Sequence, residues 1–76
     1  MIVVTGSSGG IGRAIALRLH SLGYDVVGIS KTKNESETEY RTFTADVSNM
    51  IELQNIANQI SDPENPVKAI INCAGV

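Results

Sequence analysis

The chain has 76 residues, which is enough for one domain at most. With 42% hydrophobic and 18% charged residues, its composition is that of an ordinary globular protein. The net charge is −2, so we expect no basic surface for nucleic acid or for anionic lipid. No apolar run approaches the roughly 20 residues that span a bilayer. The single cysteine excludes an internal disulfide, and together these features predict a cytoplasmic domain.

The first elements in chain order are a strand and a helix. Residues 2–5 form a short apolar run rich in β-branched residues, which is typical of a buried parallel strand. Gly23 provides a C-terminal stop for the helix that follows. The apolar residues of this helix are spaced to share one face: Ile11, Ile15, Leu19 and Leu22.

The rest of the chain repeats this alternation. Residues 67–71 predict a strand, and residues 26–29 and 41–45 are weaker strand candidates. The polar residues 31–40 predict a short crossover loop. A second helix begins at a Ser48 or Asn49 cap, with Glu52 at capping-box spacing from Asn49. Its apolar stripe is Leu53, Ile56, Ala57 and Ile60, and Asp62-Pro63 ends it.

This order of elements predicts an α/β fold. Strands that alternate with helices form a parallel sheet covered on both faces. Right-handed crossovers would place the four strands in the spatial order 3-2-1-4, which is the N-terminal half of a Rossmann-type doubly wound parallel sheet.

A glycine-rich segment, residues 5–12, joins the first strand to the first helix. Gly6 can adopt the positive φ of a sharp turn, and Gly12 lets the helix pack closely on the strand. Gly9 or Gly10 lets a phosphate approach the backbone without a Cβ in the way. The helix N-terminus adds unpaired N–H groups and a partial positive charge. A glycine loop in this strand–helix context predicts a dinucleotide site, and no Gly-Lys-Ser/Thr follows to make it a Walker-type loop.

The loop resembles that of the short-chain dehydrogenase/reductase family. The family motif T-G-x-x-x-G-x-G is matched by Thr5, Gly6, Gly10 and Gly12. The loop also satisfies the T-G-x-x-G-x-x-G motif of the extended, epimerase-like branch, through Gly6, Gly9 and Gly12. The glycines alone therefore leave the branch open.

Two further motifs favour the single-domain oxidoreductase branch. Asp46-Val47, after the third strand, resembles the adenine-binding acid and apolar residue of the family. Asn72-Cys73-Ala74-Gly75, after the fourth strand, resembles N-N-A-G, with Cys73 in place of the second Asn. Three motifs in order identify the chain as the N-terminal portion of a member of this branch.

The resemblance implies which residues bind NAD(P). The pyrophosphate and adenosine ribose would be contacted by residues of the glycine loop: Gly6, Ser8, Gly10, Ile11 and Gly12. The Asp46 carboxylate would accept a hydrogen bond from the adenine amino group, with Val47 packed on the ring. The ribose nearest the nicotinamide would be lined by Asn72, Ala74 and Gly75. The alternative role of Asp46 is to favour the N-terminus of the second helix, and Asn72 can also tie neighbouring strands together.

The end of the second strand bears on the choice between NAD and NADP. NAD-binding domains usually place Asp or Glu there, about 20 residues after the glycines, to bind the ribose hydroxyls. This chain has Ser30, followed by Lys31 and Lys33. With no carboxylate to repel a 2′-phosphate and an ammonium to meet it, we expect NADP, with NAD as the alternative. The alternative role of both lysines is as solvated loop charges.

The residues that carry catalysis in the family are absent from this chain. In the family, catalysis uses a Ser and a Tyr-x-x-x-Lys motif. In this chain, Gly28 lies four residues after Tyr24 and Thr44 lies four residues after Tyr40, so neither tyrosine makes that motif. We expect His20 to lie at the surface, and no group of residues has metal-ligand spacing. Residues 1–76 would then be the N-terminal part of a single NAD(P)-binding domain, with the catalytic residues in a missing remainder.

The resemblance implies a function for the complete protein, which would transfer hydride between NADP(H) and a small-molecule carbonyl or alcohol. Its partners would be the cofactor and substrate, without nucleic acid or membrane, and a homo-oligomer is compatible with this interpretation. One alternative is a non-catalytic nucleotide-binding module that completes its sheet with another chain. A third is a fragment of an extended-branch sugar-nucleotide epimerase.

Overall fold

The computed structural model describes residues 1–7, 10–31, 40–46 and 48–73. The strands are β1 (Ile2–Thr5), β2 (Val26–Ser30), β3 (Arg41–Thr44) and β4 (Ala69–Asn72), and the helices are α1 (Gly10–Ser21) and α2 (Met50–Ile60). All strand pairs are parallel and the order is β3-β2-β1-β4, which confirms the predicted sheet. In the described parts of the chain, no helix is long and apolar enough to cross a membrane.

Apolar side chains on both faces of the sheet form two separate cores. Successive residues of a strand point to opposite faces. Val3 and Val27 therefore pack with Ile56 and Ile60 of α2. Val4 and Val26 pack with Ala16 of α1 and with Tyr40 on the other face. The near-continuous apolar sequence of β1 and β2 follows from this burial on both sides.

The buried face of α1 differs from the predicted stripe. Gly12 and Ala16 are the buried residues of this helix, whereas Ile11 is 63% exposed and Leu22, beyond the helix end, is 57% exposed. Small residues on this side let the helix approach the sheet closely. The predicted stripe is partly confirmed, because Leu19 packs against the same core and Ile15 is half-buried. Gly23, with φ of 94°, follows the helix as predicted.

The N-terminus of α2 is capped by Asn49. Its side-chain Oδ1 accepts hydrogen bonds from the backbone N–H groups of Ile51, at 3.0 Å, and Glu52, at 3.2 Å. Only half of the predicted capping box forms, because the Glu52 carboxylate accepts from the N–H of Asp46, at 2.9 Å. The Asn49 N–H donates instead to the Asp46 carbonyl, at 2.8 Å, and α2 is thereby fastened to the end of β3.

The last strand lies further along the chain than predicted. β4 covers residues 69–72 instead of 67–71, so Asn72 is its last residue, paired with Thr5 of β1. Among the described strands, β4 pairs on one side only, and Ile70 is 67% exposed. The strong apolar character that predicted this strand is thus only partly buried within residues 1–76.

Candidate functional site

The predicted cofactor residues meet at one edge of the sheet. Because all four strands are parallel, their carboxyl ends lie at the same edge. β1 ends there at Thr5, β2 at Ser30 and β4 at Asn72, and α1 begins there at Gly10. In open α/β sheets, ligands bind in the crevice at this edge, where the strand order reverses. The reversal falls between β1 and β4 in this sheet.

The glycine loop turns off β1 in the predicted way. Gly6 has φ of 72°, a conformation that favours glycine, and its N–H donates to the Ile29 carbonyl at 2.7 Å. Gly10 has φ of 58° at the start of α1, and a Cβ added there would meet no atom within 4 Å. A side chain at Gly10 is thus absent where the helix N-terminus offers N–H groups and a partial positive charge, which suit a pyrophosphate.

Gly12 is required for the close approach of α1 to the loop. A Cβ built at this position would overlap the Gly6 carbonyl oxygen and would lie 2.8 Å from the Gly6 carbonyl carbon and 3.3 Å from Cβ of Cys73. Cys73, half-buried and packed against the α1 core, fills the space beneath the helix. Packing against the Gly6 carbonyl and Cys73 therefore requires a glycine at this position of the motif.

Asn72 ties β4 to β1. Its side-chain Oδ1 accepts a hydrogen bond from the Thr5 hydroxyl at 2.7 Å, and the Cys73 N–H donates to the Thr5 carbonyl at 3.1 Å. The Asn72 residue itself is exposed. The alternative role predicted for Asn72, tying neighbouring strands together, is therefore observed.

The ends of β2 and β3 bring Ser30, Lys31 and Asp46 into one region. Ser30 is buried, at 5% exposed, whereas Lys31 beside it is exposed. Asp46 Oδ1 accepts from the Ser48 hydroxyl at 2.7 Å and from the Ser48 N–H at 2.9 Å. The bond from the Ser48 hydroxyl, and after it the bond from the Ser48 N–H, hold the pKa of Asp46 below its usual range. The nearby charge of Lys31 lowers this pKa further. The carboxylate is thus ionised at neutral pH beside an accessible cation.

Several predicted positions lie outside the described residues. These are Ser8 and Gly9 of the glycine loop, Lys33 of the crossover, Val47, and Ala74 and Gly75 of the last motif. The site as described therefore consists of the loop flanks and the strand ends. Within the described parts, no three His, Cys, Asp or Glu side chains form a group suited to a metal ion.

A contact between the glycine loop and β2, formed by Ser7, Gly28 and Tyr40, was missed by sequence reasoning. Ser7 is almost fully buried and lies against Gly28 of β2, and the Tyr40 ring contacts the same glycine. A glycine inside a strand is a known sign of close approach by other groups, so Gly28 was the available signal. His20 was expected at the surface, but it is half-buried, with its ring centroid 6.2 Å from that of Tyr40.

An apolar groove of about 480 Å³ lies between α2 and the outer half of the sheet. Its walls include Val3, Ile56, Ile60, Val67 and Ile70. Thr5 and Asn72 line it as well, so the groove adjoins the carboxyl edge of β1 and β4.

The strand order and the connections define a Rossmann-type α/β domain, and comparison with known proteins agrees. The sequence profile of the short chain dehydrogenase family matches residues 1–76. A 3-ketodihydrosphingosine reductase of Bacteroides thetaiotaomicron is 32% identical over 76 residues, which are 100% of this chain and 28% of the relative. An NADPH-dependent pterin aldehyde reductase of Arabidopsis thaliana is 30% identical, over 97% of this chain and 34% of the relative.

A solved structure shares the same architecture. The ligand-free aldohexose dehydrogenase of Thermoplasma acidophilum superposes with a TM-score of 0.87 at 32% identity, over 99% of this chain and 29% of that chain. The present chain belongs to the short-chain dehydrogenase/reductase family. It spans between 28% and 34% of the length of each of these relatives.

Proposed function

We propose that residues 1–76 are the N-terminal part of a single cofactor-binding domain in an NADP(H)-dependent reductase or dehydrogenase. The complete protein would transfer hydride between the nicotinamide and a small-molecule carbonyl or alcohol, and hydride transfer is the chemistry that the cofactor supplies when bound. The relatives compared above are two reductases and a dehydrogenase, which favours this activity over epimerase chemistry. A cytoplasmic location stays a prediction.

The chain's own residues would hold and orient the dinucleotide. The α1 N-terminus at Gly10 would hold the pyrophosphate, because it carries a partial positive charge and Gly10 places no Cβ in the way, while Gly6 and Gly12 would shape the turn and the close approach of α1. Asp46 would accept a hydrogen bond from the adenine amino group. Asn72, exposed at the end of β4, would contact the ribose nearest the nicotinamide.

The preference for NADP rests on one observation, the exposed Lys31 directly after β2, which itself ends at Ser30 and not at an Asp or Glu. The Lys31 ammonium would meet the 2′-phosphate, since a charge-assisted hydrogen bond is among the stronger polar contacts. Ser30 is buried, so it would contribute through its lack of negative charge. The name of the Arabidopsis relative, an NADPH-dependent reductase, supports the same preference.

The test compares the dissociation constants of NADPH and NADH by fluorescence titration. We expect the protein to bind NADPH more tightly, and Lys31→Met to weaken NADPH binding by about tenfold to a hundredfold while NADH binding changes little, because about 1.5–3 kcal/mol of charge-assisted bonding is lost. Lys68→Met is the matched control, because Lys68 precedes β4 at the opposite edge of the sheet. Equal affinities for the two cofactors in the unmodified protein would contradict the NADP preference.

A further inference from the structure

The inference concerns the residues that support the glycine loop from below. The loop is bound to β2 by two backbone hydrogen bonds, because the N–H groups of Gly6 and Ser7 both reach the Ile29 carbonyl, at 2.7 and 3.4 Å. The first turn of the loop therefore takes its position from the second strand. Whatever fixes this part of β2 also fixes the loop.

The Ser7 side chain packs into the space left by the missing side chain of Gly28. Ser7 is 1% exposed. A Cβ built at Gly28 would overlap Ser7 Oγ and would lie 3.1 Å from Ser7 Cβ. The loop thus rests on the surface of β2 at a point where any side chain would push it away.

The Tyr40 ring occupies the other side of the same space. Its Cε2 would lie 3.0 Å from the Cβ built at Gly28, so the ring edge and the Ser7 side chain are neighbours. The ring is held by the α1 core, with Val4, Ala16 and Val26, and by the tilted ring of His20. Burial raises the pKa of Tyr40, so its hydroxyl is neutral at physiological pH although the charge of Arg13 acts on it in the opposite sense.

We propose that Tyr40 is a positioning residue for the cofactor's pyrophosphate. Its ring closes the space over Gly28 and keeps Ser7, and with it the turn at Gly6, in the geometry that leaves the α1 N-terminus open to a phosphate. Tyr40 belongs to the α1 core and lies beside Gly28, where Ser7 also packs, so it would act on the ligand through the position of Ser7. This inference rests on the proposed dinucleotide-binding function.

The experiment compares two ligands that share the adenosine but differ in the pyrophosphate. ADP carries the pyrophosphate on the ribose 5′-oxygen, whereas 2′-AMP carries a single phosphate on the 2′-oxygen and no pyrophosphate. We expect Tyr40→Ala to raise the dissociation constant of ADP by roughly tenfold or more, because displacement of a preorganised site by about 1 Å is costly. The dissociation constant of 2′-AMP should change by less than about twofold. Tyr40→Phe, which keeps the ring, should bind ADP as the unmodified protein does.

Tyr24→Ala is the matched control, since Tyr24 is exposed beyond the end of α1. Tyr40→Leu retains apolar bulk in the core and repeats the test if the alanine variant does not fold. Calorimetric titrations are made at temperatures where each variant is folded by circular dichroism. Equal weakening of both ligands in the folded leucine variant, or unchanged ADP binding, would overturn the inference. If the unmodified protein binds neither ligand, the proposed function itself fails.

Discussion

Three glycines show how single residues shape the two ends of α1 for different physical reasons. Gly6 and Gly23 have positive φ values of 72° and 94°, which L side chains rarely adopt. Gly12 lies inside α1, and there the constraint is space, because the Gly6 carbonyl occupies the position of a Cβ. A substitution at Gly12 therefore acts on packing, whereas one at Gly23 acts on the backbone conformation alone.

The packing constraint at Gly12 gives a prediction for Gly12→Ala. The added methyl group must push α1 away from the loop, and overpacking of this kind lowers the free energy of unfolding by about 1–3 kcal/mol. It should also abolish tight binding of the dinucleotide, because the helix N-terminus moves with the helix. Urea unfolding and a cofactor titration measure the two effects.

Gly23→Ala is the control for this prediction. A Cβ at Gly23 meets no atom within 4 Å, so only conformational strain of about 1–2 kcal/mol is expected. Gly23 follows the far end of α1, so cofactor affinity should be unchanged. A Gly12→Ala protein that binds the cofactor normally would show that the close approach of α1 to Gly6 is not needed.

At the scale of elements, the helices differ in how well their sequence predicted their packing. In α2, large apolar residues mark the buried face, and Ile56 and Ile60 lie in the core as expected. In α1, the fully buried residues are the small Gly12 and Ala16, and of the predicted large apolar residues Leu19 packs against the core. Close approach to a loop requires small residues, so a pattern based on large apolar residues identifies only part of the side that faces the sheet.

The same contrast separates what the sequence could and could not predict at the site. The turn at Gly6 and the cap at Asn49 follow from local chemistry that acts within a few residues, and both were predicted. The placement of Ser7 and Tyr40 around Gly28 joins three parts of the chain through the tertiary fold. Gly28, a glycine inside a strand, indicated a close approach of other groups, but it did not indicate which residues would fill the space.

The cap of α2 gives a prediction at this scale. Asn49→Ala removes the acceptor of the N–H groups of Ile51 and Glu52, so the free energy of unfolding should fall by about 1 kcal/mol. Asn58→Ala, at an exposed position within the same helix, should be neutral or slightly stabilising, because alanine has the higher helix propensity. Chemical denaturation of both variants measures the difference. A loss at Asn58 equal to that at Asn49 would show that the cap contributes nothing specific.

For the whole molecule, the two faces of the sheet are unequally covered. The α1 side is closed over β1 and β2 by a packed cluster that includes Tyr40 and Leu19. On the α2 side, the groove leaves Val67 and Ile70 exposed beside β4. A right-handed crossover from β4 to a further parallel strand would place its helix on this same side of the sheet. In the proposed longer domain, this helix would therefore cover the groove.

This proposal predicts a difference between residues 1–76 expressed alone and the complete protein. The short polypeptide should bind an apolar fluorescent dye through the open groove, whereas the complete protein should bind little, because a contiguous exposed apolar surface of this kind is normally covered. Ile70→Lys should lower dye binding by the short polypeptide, since it places a charge in the groove wall. Leu22→Lys changes another exposed aliphatic residue, beyond the end of α1, and should have little effect. Equal dye binding by the short polypeptide and the complete protein would mean that no later segment covers the groove, and the single-domain proposal would then be wrong.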